Sequence, residues 1–138
     1  LLREGAGEIR LVNRTREKAD TLAAEFGGPF NVLPWEERHD ALEDVAMVVN
    51  VTSQGMVGET ALDLRLDRLP AGALAADIIY TPLETPFLAT ARERGNRTVN
   101  GLGMLIHQGP HAWKMWFDVE PTVTAELREL MEKSIGGD

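Results

Sequence analysis

The sequence contains no cysteine, which excludes a disulfide scaffold and a thiolate metal centre and suits a reducing compartment. Long hydrophobic runs are also missing. No apolar stretch approaches the ~18 residues needed to cross a bilayer, and no basic-then-apolar stretch opens the sequence. Positive charge is scarce: 14 Lys and Arg stand against 22 Asp and Glu, for a net charge of −8. That balance opposes general attraction to nucleic acid or to anionic membranes. Internal repeats and low-complexity linkers are absent as well. What is present is 43% hydrophobic residues in a length of 138, enough for a core and too apolar for a disordered chain. The expectation is one globular domain over residues 1–138, soluble and cytoplasmic, with a small-molecule ligand and no nucleic-acid or membrane partner.

Leu1-Leu2-Arg3-Glu4-Gly5 reads as the last turn of a helix with Gly5 just past its end. No methionine precedes it, so the sequence is expected to start inside an element. Glu8 to Asn13 alternates apolar and polar residues, as a short strand does. Thr15 is placed to cap the next helix, in which Ala19, Leu22, Ala23 and Phe26 follow helical spacing. Gly27-Gly28-Pro29 ends it. Phe30–Leu33 reads as a further strand, and Pro34-Trp35 opens a short acidic helix that would leave His39 at the surface. Met47–Val51 and Leu74–Tyr80 are continuous apolar runs, the signature of strands buried on both faces. Thr85-Pro86 is a cap followed by an N1 proline, Gly95 stops that helix, and Arg97–Asn100 reads as the next strand. Gly101 to Phe117 should be a long helix, kinked or broken around Gly109-Pro110. The last helix is expected from Thr122 to about Lys133. Helices alternating with parallel-type strands point to an α/β protein with a doubly wound, Rossmann-like parallel sheet.

Four motifs carry chemistry. Asn13-Arg14-Thr15, with Arg16 and Lys18 beside it, follows a strand where an acidic residue would favour NAD and an arginine instead pairs with a 2′-phosphate. The bland alternative is a solvated basic patch, although a helix start is an unfavourable place for cations. Asn50-Val51-Thr52-Ser53-Gln54-Gly55-Met56 gathers polar side chains where a strand ends, or is ordinary turn chemistry. Tyr80 either donates its phenol to a carboxylate or hydroxyl ligand, or is a half-buried tyrosine with a wet hydroxyl. Gly101-Leu102-Gly103-Met104 opens a helix whose free amides and glycines allow close approach of a ligand, with Gln108 one turn further on. His107 and His111 stand four apart but lack a third ligand, so no metal site is expected. Trp35, Trp113, Trp116 and Phe117 read as packing residues.

Taken together, these strings and the block from Asp77 to Gln108 closely resemble the shikimate/quinate dehydrogenase family, over its C-terminal, cofactor-binding half. The resemblance covers nearly the whole chain and about half of a family member. It implies an NADP cofactor, with Arg14 on the 2′-phosphate assisted by Asn13, Thr15 and Lys18. It implies Thr52, Ser53, Ile78, Gly101 and Met104 on the nicotinamide side, and Tyr80 and Gln108 on substrate. The implied reaction is reversible NADPH-dependent reduction of 3-dehydroshikimate to shikimate. It also implies that the glycine-rich pyrophosphate turn, and a substrate domain with a catalytic lysine and aspartate, lie outside this sequence. Within it no catalytic residue is expected, since Lys114 and Lys133 fall on the wrong elements and Asp63 and Asp67 read as loop or cap residues. Residues 1–138 alone are therefore expected to be inactive. The helix in 118–138 would pack toward the missing domain. The stripe Val123/Leu127/Leu130/Met131 and the Trp113/Trp116/Phe117 cluster, left partly uncovered, favour self-association or weak stability. Pro110 departs from the family pattern. The alternatives are a quinate-using relative and a non-catalytic nucleotide-binding or interaction module. Glutamyl-tRNA reductases can share the Asn-Arg-Thr string, but the Gly-x-Gly-Met-Leu…Gln tail argues against them.

Overall fold

A computed structural model describes residues 1–136. Among them the strands are β1 (Ile9–Val12), β2 (Phe30–Leu33), β3 (Met47–Asn50), β4 (Leu74–Asp77) and β5 (Arg97–Val99). The α-helices are α1 (Arg16–Phe26), α2 (Pro86–Glu93), α3 (Leu102–Phe117) and α4 (Ala125–Gly136). Every strand pairing is parallel, in two ladders: β1-β2, and β3-β4-β5 in that order. The chain divides into two compact units, Leu1–Asp44 with Leu64–Leu69, and Val45–Asp63 with the chain from Pro70 onward.

In the first unit α1 is the crossover that a parallel pair requires, bringing Ile9 opposite Phe30 and Val12 opposite Leu33. The turn at Leu2–Glu4 closes on Gly5, whose φ of 79° needs no Cβ. Thr15 occupies the N-cap of α1, but its side chain makes no capping bond. Only its carbonyl engages the helix, accepting from the Lys18 amide at 3.1 Å. The expected hydroxyl cap is therefore corrected: Thr15 is exposed, and its hydroxyl makes no bond to the helix amides. Of the helical stripe only Ala19 is fully buried, while Leu22 and Phe26 stay exposed. The small core is Ala19, Ala41, Leu42, Leu66 and Leu69. His39 is no free surface residue, because its Nδ1 accepts the Arg65 amide at 3.0 Å. Arg68 lies 3.6 Å from Asp40 and 3.5 Å from Glu43, tying the same segment down.

In the second unit α2 links β4 to β5. Thr85 caps it as its sequence predicts, its hydroxyl accepting the Leu88 amide at 3.3 Å, with Pro86 in the first turn. The strand expected at Leu74–Tyr80 ends at Asp77, and burial alternates onward from Ala73 to Tyr80. β3 is half-buried along Met47–Val49 and fully buried only at Asn50, so it falls short of burial on both faces. The core is Ala73, Ala75, Ile79, Phe87, Leu88, Ala91, Leu102 and Ile106. The expected break in α3 does not occur: the helix runs unbroken through Pro110. Proline crowds the Cβ of the residue before it out of helical geometry, and here that residue is Gly109, which has none. α4 starts later than expected, at Ala125, because Thr124 is its cap: the Thr124 hydroxyl accepts the Leu127 amide at 3.2 Å. Residues 137 and 138 of the expected C-terminal segment lie outside the described residues. The stripe is unevenly covered, with Val123 and Met131 half-buried and Leu127 and Leu130 exposed. α4 still meets its own unit, since a Cβ on Gly103 would lie 3.7 Å from Arg128 Nη1 and one on Gly136 would lie 3.6 Å from Leu83 Cδ1.

Candidate functional site

Parallel α/β sheets present ligands with the loops that follow the C-terminal strand ends. In the second unit those ends are Asn50, Asp77 and Val99. The loops that follow them carry Thr52 and Ser53, Ile78 and Tyr80, and Gly101 with Met104. Hydrogen bonds draw the three loops together. Buried Asn50 donates through Nδ2 to Asp77 Oδ1 at 3.2 Å and to the Gln54 carbonyl at 3.1 Å. Its Oδ1 accepts from the Thr52 amide at 3.0 Å and the Thr52 hydroxyl at 2.7 Å. Buried Asp77 also accepts the Ile79 amide at 3.0 Å and the Thr85 hydroxyl at 2.7 Å. The third loop joins through Gly101, whose amide donates to the Ile79 carbonyl at 2.8 Å.

Gly101 is a glycine because of close approach, not because of its backbone angles, since its φ is an ordinary −74°. A Cβ there would run into the Ile78 carbonyl and lie 3.1 Å from the Ile79 carbonyl carbon. The backbones of two predicted site residues, Ile78 and Gly101, are thus in contact. The remaining predicted groups of this unit face water: Thr52, Ser53, Met104 and Gln108 are exposed, and Tyr80 is 39% exposed. Met104 and Gln108 lie one turn apart on α3, opposite the buried Leu102 and Ile106. The exposed hydrogen-bonding side chains are hydroxyls, a phenol and an amide. The nearby carboxylate, Asp77, is buried and committed to three donors. A concavity of about 310 Å³ bounded by Glu84, Arg92, Asn100, Gly103 and Arg128 is lined by none of the predicted residues.

The first unit holds Asn13, Arg14, Thr15 and Lys18 at the end of β1 and the start of α1. The three cations there are not equivalent. Arg16 is spent on its own surroundings, 3.4 Å from Asp20 and donating to the Val32 carbonyl at 3.5 Å. The Arg14 and Lys18 side chains are exposed and engage no partner among the described residues. Two uncommitted cations beside a helix start form an arrangement that a multiply charged anion would complete. Elsewhere, Lys114 pairs with Asp118 at 2.6 Å within α3 and its cap, and His107 and His111 are exposed. Two glutamates have lowered pKa values: Glu8, through hydrogen bonds from Asn31 and then Arg10, and Glu126, through its backbone and then Thr124. Neither belongs to the site.

What sequence reasoning missed is the buried trio Asn50, Asp77 and Thr85. A carboxylate ending the apolar run Leu74-Ala75-Ala76 is the signal that could have marked it, because a buried Asp needs donors.

Fold and site together define a Rossmann-like α/β protein with polar groups gathered at parallel strand ends. No family model matches the sequence. Among curated proteins, the shikimate dehydrogenase (NADP(+)) of Paramagnetospirillum magneticum is 50% identical over 127 residues, covering 92% of this chain and 46% of that protein. Quinate dehydrogenase from Corynebacterium glutamicum, solved in complex with NAD, superposes with a TM-score of 0.82 at 26% identity, covering 93% of this chain and 47% of that one. Shikimate 5-dehydrogenase from Thermus thermophilus, solved with NADP(H) and shikimate, gives 0.74 at 32% identity, covering 99% of this chain and 48% of that one. The chain belongs to the shikimate/quinate dehydrogenase family, and it spans about half the length of the curated relatives it matches.

Proposed function

We propose that this chain is the NADP-binding half of a shikimate dehydrogenase. The parent protein would reversibly reduce the 3-keto group of 3-dehydroshikimate to give shikimate. NADPH supplies the hydride when bound; the chain's own residues bind, orient and select. Arg14 pairs with the 2′-phosphate, with Lys18 adding charge one turn into α1 and Asn13 and Thr15 adding hydrogen bonds. Thr52, Ser53, Met104 and the backbone at Ile78 and Gly101 line the nicotinamide side. Tyr80 and Gln108 offer hydrogen bonds to substrate hydroxyl or carboxylate groups. Proton transfer falls to the lysine and aspartate that the family carries outside this half, so residues 1–138 alone bind cofactor without turning over.

The observation that carries the reading is the uncommitted Arg14 guanidinium at the end of β1, beside a neighbour, Arg16, that is already spent. Calorimetric titration is the test. NADP+ is expected to bind more tightly than NAD+, and Arg14→Ala should weaken NADP+ by about ten- to a hundredfold, the weight of a charge-assisted contact, while leaving NAD+ nearly unchanged. Equal wild-type affinity for the two dinucleotides would remove the role assigned to Arg14. Shikimate-dependent reduction of NADP+, with quinate and NAD+ as controls, then tests the activity of the parent protein.

A further inference from the structure

Thr52 is wired in only one direction. Its hydroxyl has one proton and two acceptor positions. The proton goes to Asn50 Oδ1 at 2.7 Å, and one acceptor position takes the Gln54 amide at 3.1 Å. One lone pair remains, on an exposed residue. The direction of these bonds is set from below. Asn50 must present Nδ2 on the side where Asp77 Oδ1 and the Gln54 carbonyl wait, because neither of those can donate. Its Oδ1 then faces the Thr52 amide, which can only donate. Asp77 is itself fixed as an acceptor at both oxygens. The Ile79 amide donates to one, and Thr85, whose hydroxyl already accepts from Leu88, donates to the other.

We propose that the buried Thr85–Asp77–Asn50 chain makes Thr52 a specificity-determining, acceptor-only position, which reads a hydroxyl or a carboxamide N–H of a ligand and rejects a phosphate oxygen. The proposal rests on the reading of this loop as the nicotinamide side of a dinucleotide site. Within that reading it is selective: Thr52 serves the ribose hydroxyls or the carboxamide, and the phosphates must be held elsewhere. Asp77, Asn50 and Thr85 act through Thr52 and are positioning residues.

The test uses the 138-residue chain, isotope-labelled for NMR, with melting followed by circular dichroism as the folding control. In Asp77→Leu both acceptor oxygens are lost, so the amides of Ile79, Thr52 and Gln54 should all exchange about tenfold faster than in wild type. Amides at Asn13–Lys18 should not change. Faster exchange at Ile79 alone would overturn the relay. Thr85→Ser keeps the hydroxyl and should preserve protection, whereas Thr85→Val should loosen Thr52 and Gln54; these two variants carry the test if Asp77→Leu does not fold. Sulfate, which carries no proton at neutral pH and can only accept, should leave the Thr52 amide signal in place, and NADP+ should move it. A shift with sulfate would overturn the polarity assignment. No shift with NADP+ anywhere in residues 50–56 would count against the cofactor reading, while the relay is decided by the exchange data.

Discussion

Gly101 illustrates how one position answers to two demands. Its sequence context, a Gly-x-Gly at a helix start, suggests ligand approach, and the structure adds a packing reason: the Ile78–Ile79 main chain lies where a Cβ would be. Gly101→Ala should therefore cost about 1–3 kcal/mol, the usual range for overpacking, because backbone must shift to admit the methyl. Urea unfolding would measure it, and a variant as stable as wild type would show that the two segments separate easily. Other single residues were harder to read. Nothing near His39 in the sequence announces that Arg65, far along the chain, will donate to its ring. Asp77, Asn50 and Thr85 were invisible as a group for the same reason. Each looks like an ordinary turn or cap residue until the parallel register sets Asn50 opposite Asp77.

Elements were more legible, because periodicity and capping are local. The strand at Phe30–Leu33, the Thr85-Pro86 helix start and the Gly5, Gly27 and Gly95 stops all follow from neighbouring residues. The break allowed for in α3 came from weighing Pro110 without the glycine before it. Pro110 still removes one amide donor from the helix interior. Pro110→Ala should accordingly stabilise the chain by about 1–3 kcal/mol, seen as a higher melting temperature; an unchanged or lower one would mean that the proline fits a bend α3 needs. The parallel pairing of β1 and β2 has its own pH dependence. Glu8 accepts from Asn31 Nδ2 at 2.9 Å and from Arg10 at 3.2 Å, and its pKa is lowered by those bonds. A depressed carboxylate contributes stability that is present above its unfolded pKa and is lost as pH falls through its folded one. Glu8→Gln should thus melt below wild type at neutral pH, and the two curves should converge in acid. A gap that persists below the carboxylate range would contradict the assignment.

At the scale of the whole chain, apolar surface is the dominant unexplained quantity. Met115, Trp116 and Phe117 are 84%, 72% and 60% exposed at the end of α3, and Leu130 is 65% exposed on α4. Trp113 meets Phe117 at a tilt at 5.0 Å and Trp116 meets it edge-on at 6.3 Å, so the cluster covers itself only in part. A net charge of −8 opposes association at long range, but salt screens that repulsion. Sedimentation velocity is expected to show association that increases with concentration and with added salt, and Trp116→Glu should reduce it. A monomer at every concentration and salt level would rule this out. Sequence spacing located these residues correctly, yet it does not say how much of a helical stripe the neighbouring elements will cover. That depends on tertiary placement, as the unequal burial of Val123 and Leu130 on one expected face makes plain.

The contact at Gly101 is main chain against main chain, which makes the two positions unequal in what evolution or a designer is free to vary. At residue 101 any side chain beyond a hydrogen meets the main chain of residues 78 and 79. Residue 78 meets that joint through its peptide carbonyl, and its half-buried side chain answers to other neighbours. On the proposed cofactor reading, a library that varies Ile78 among apolar residues while holding Gly101 fixed would change the surface beside the nicotinamide without disturbing that joint.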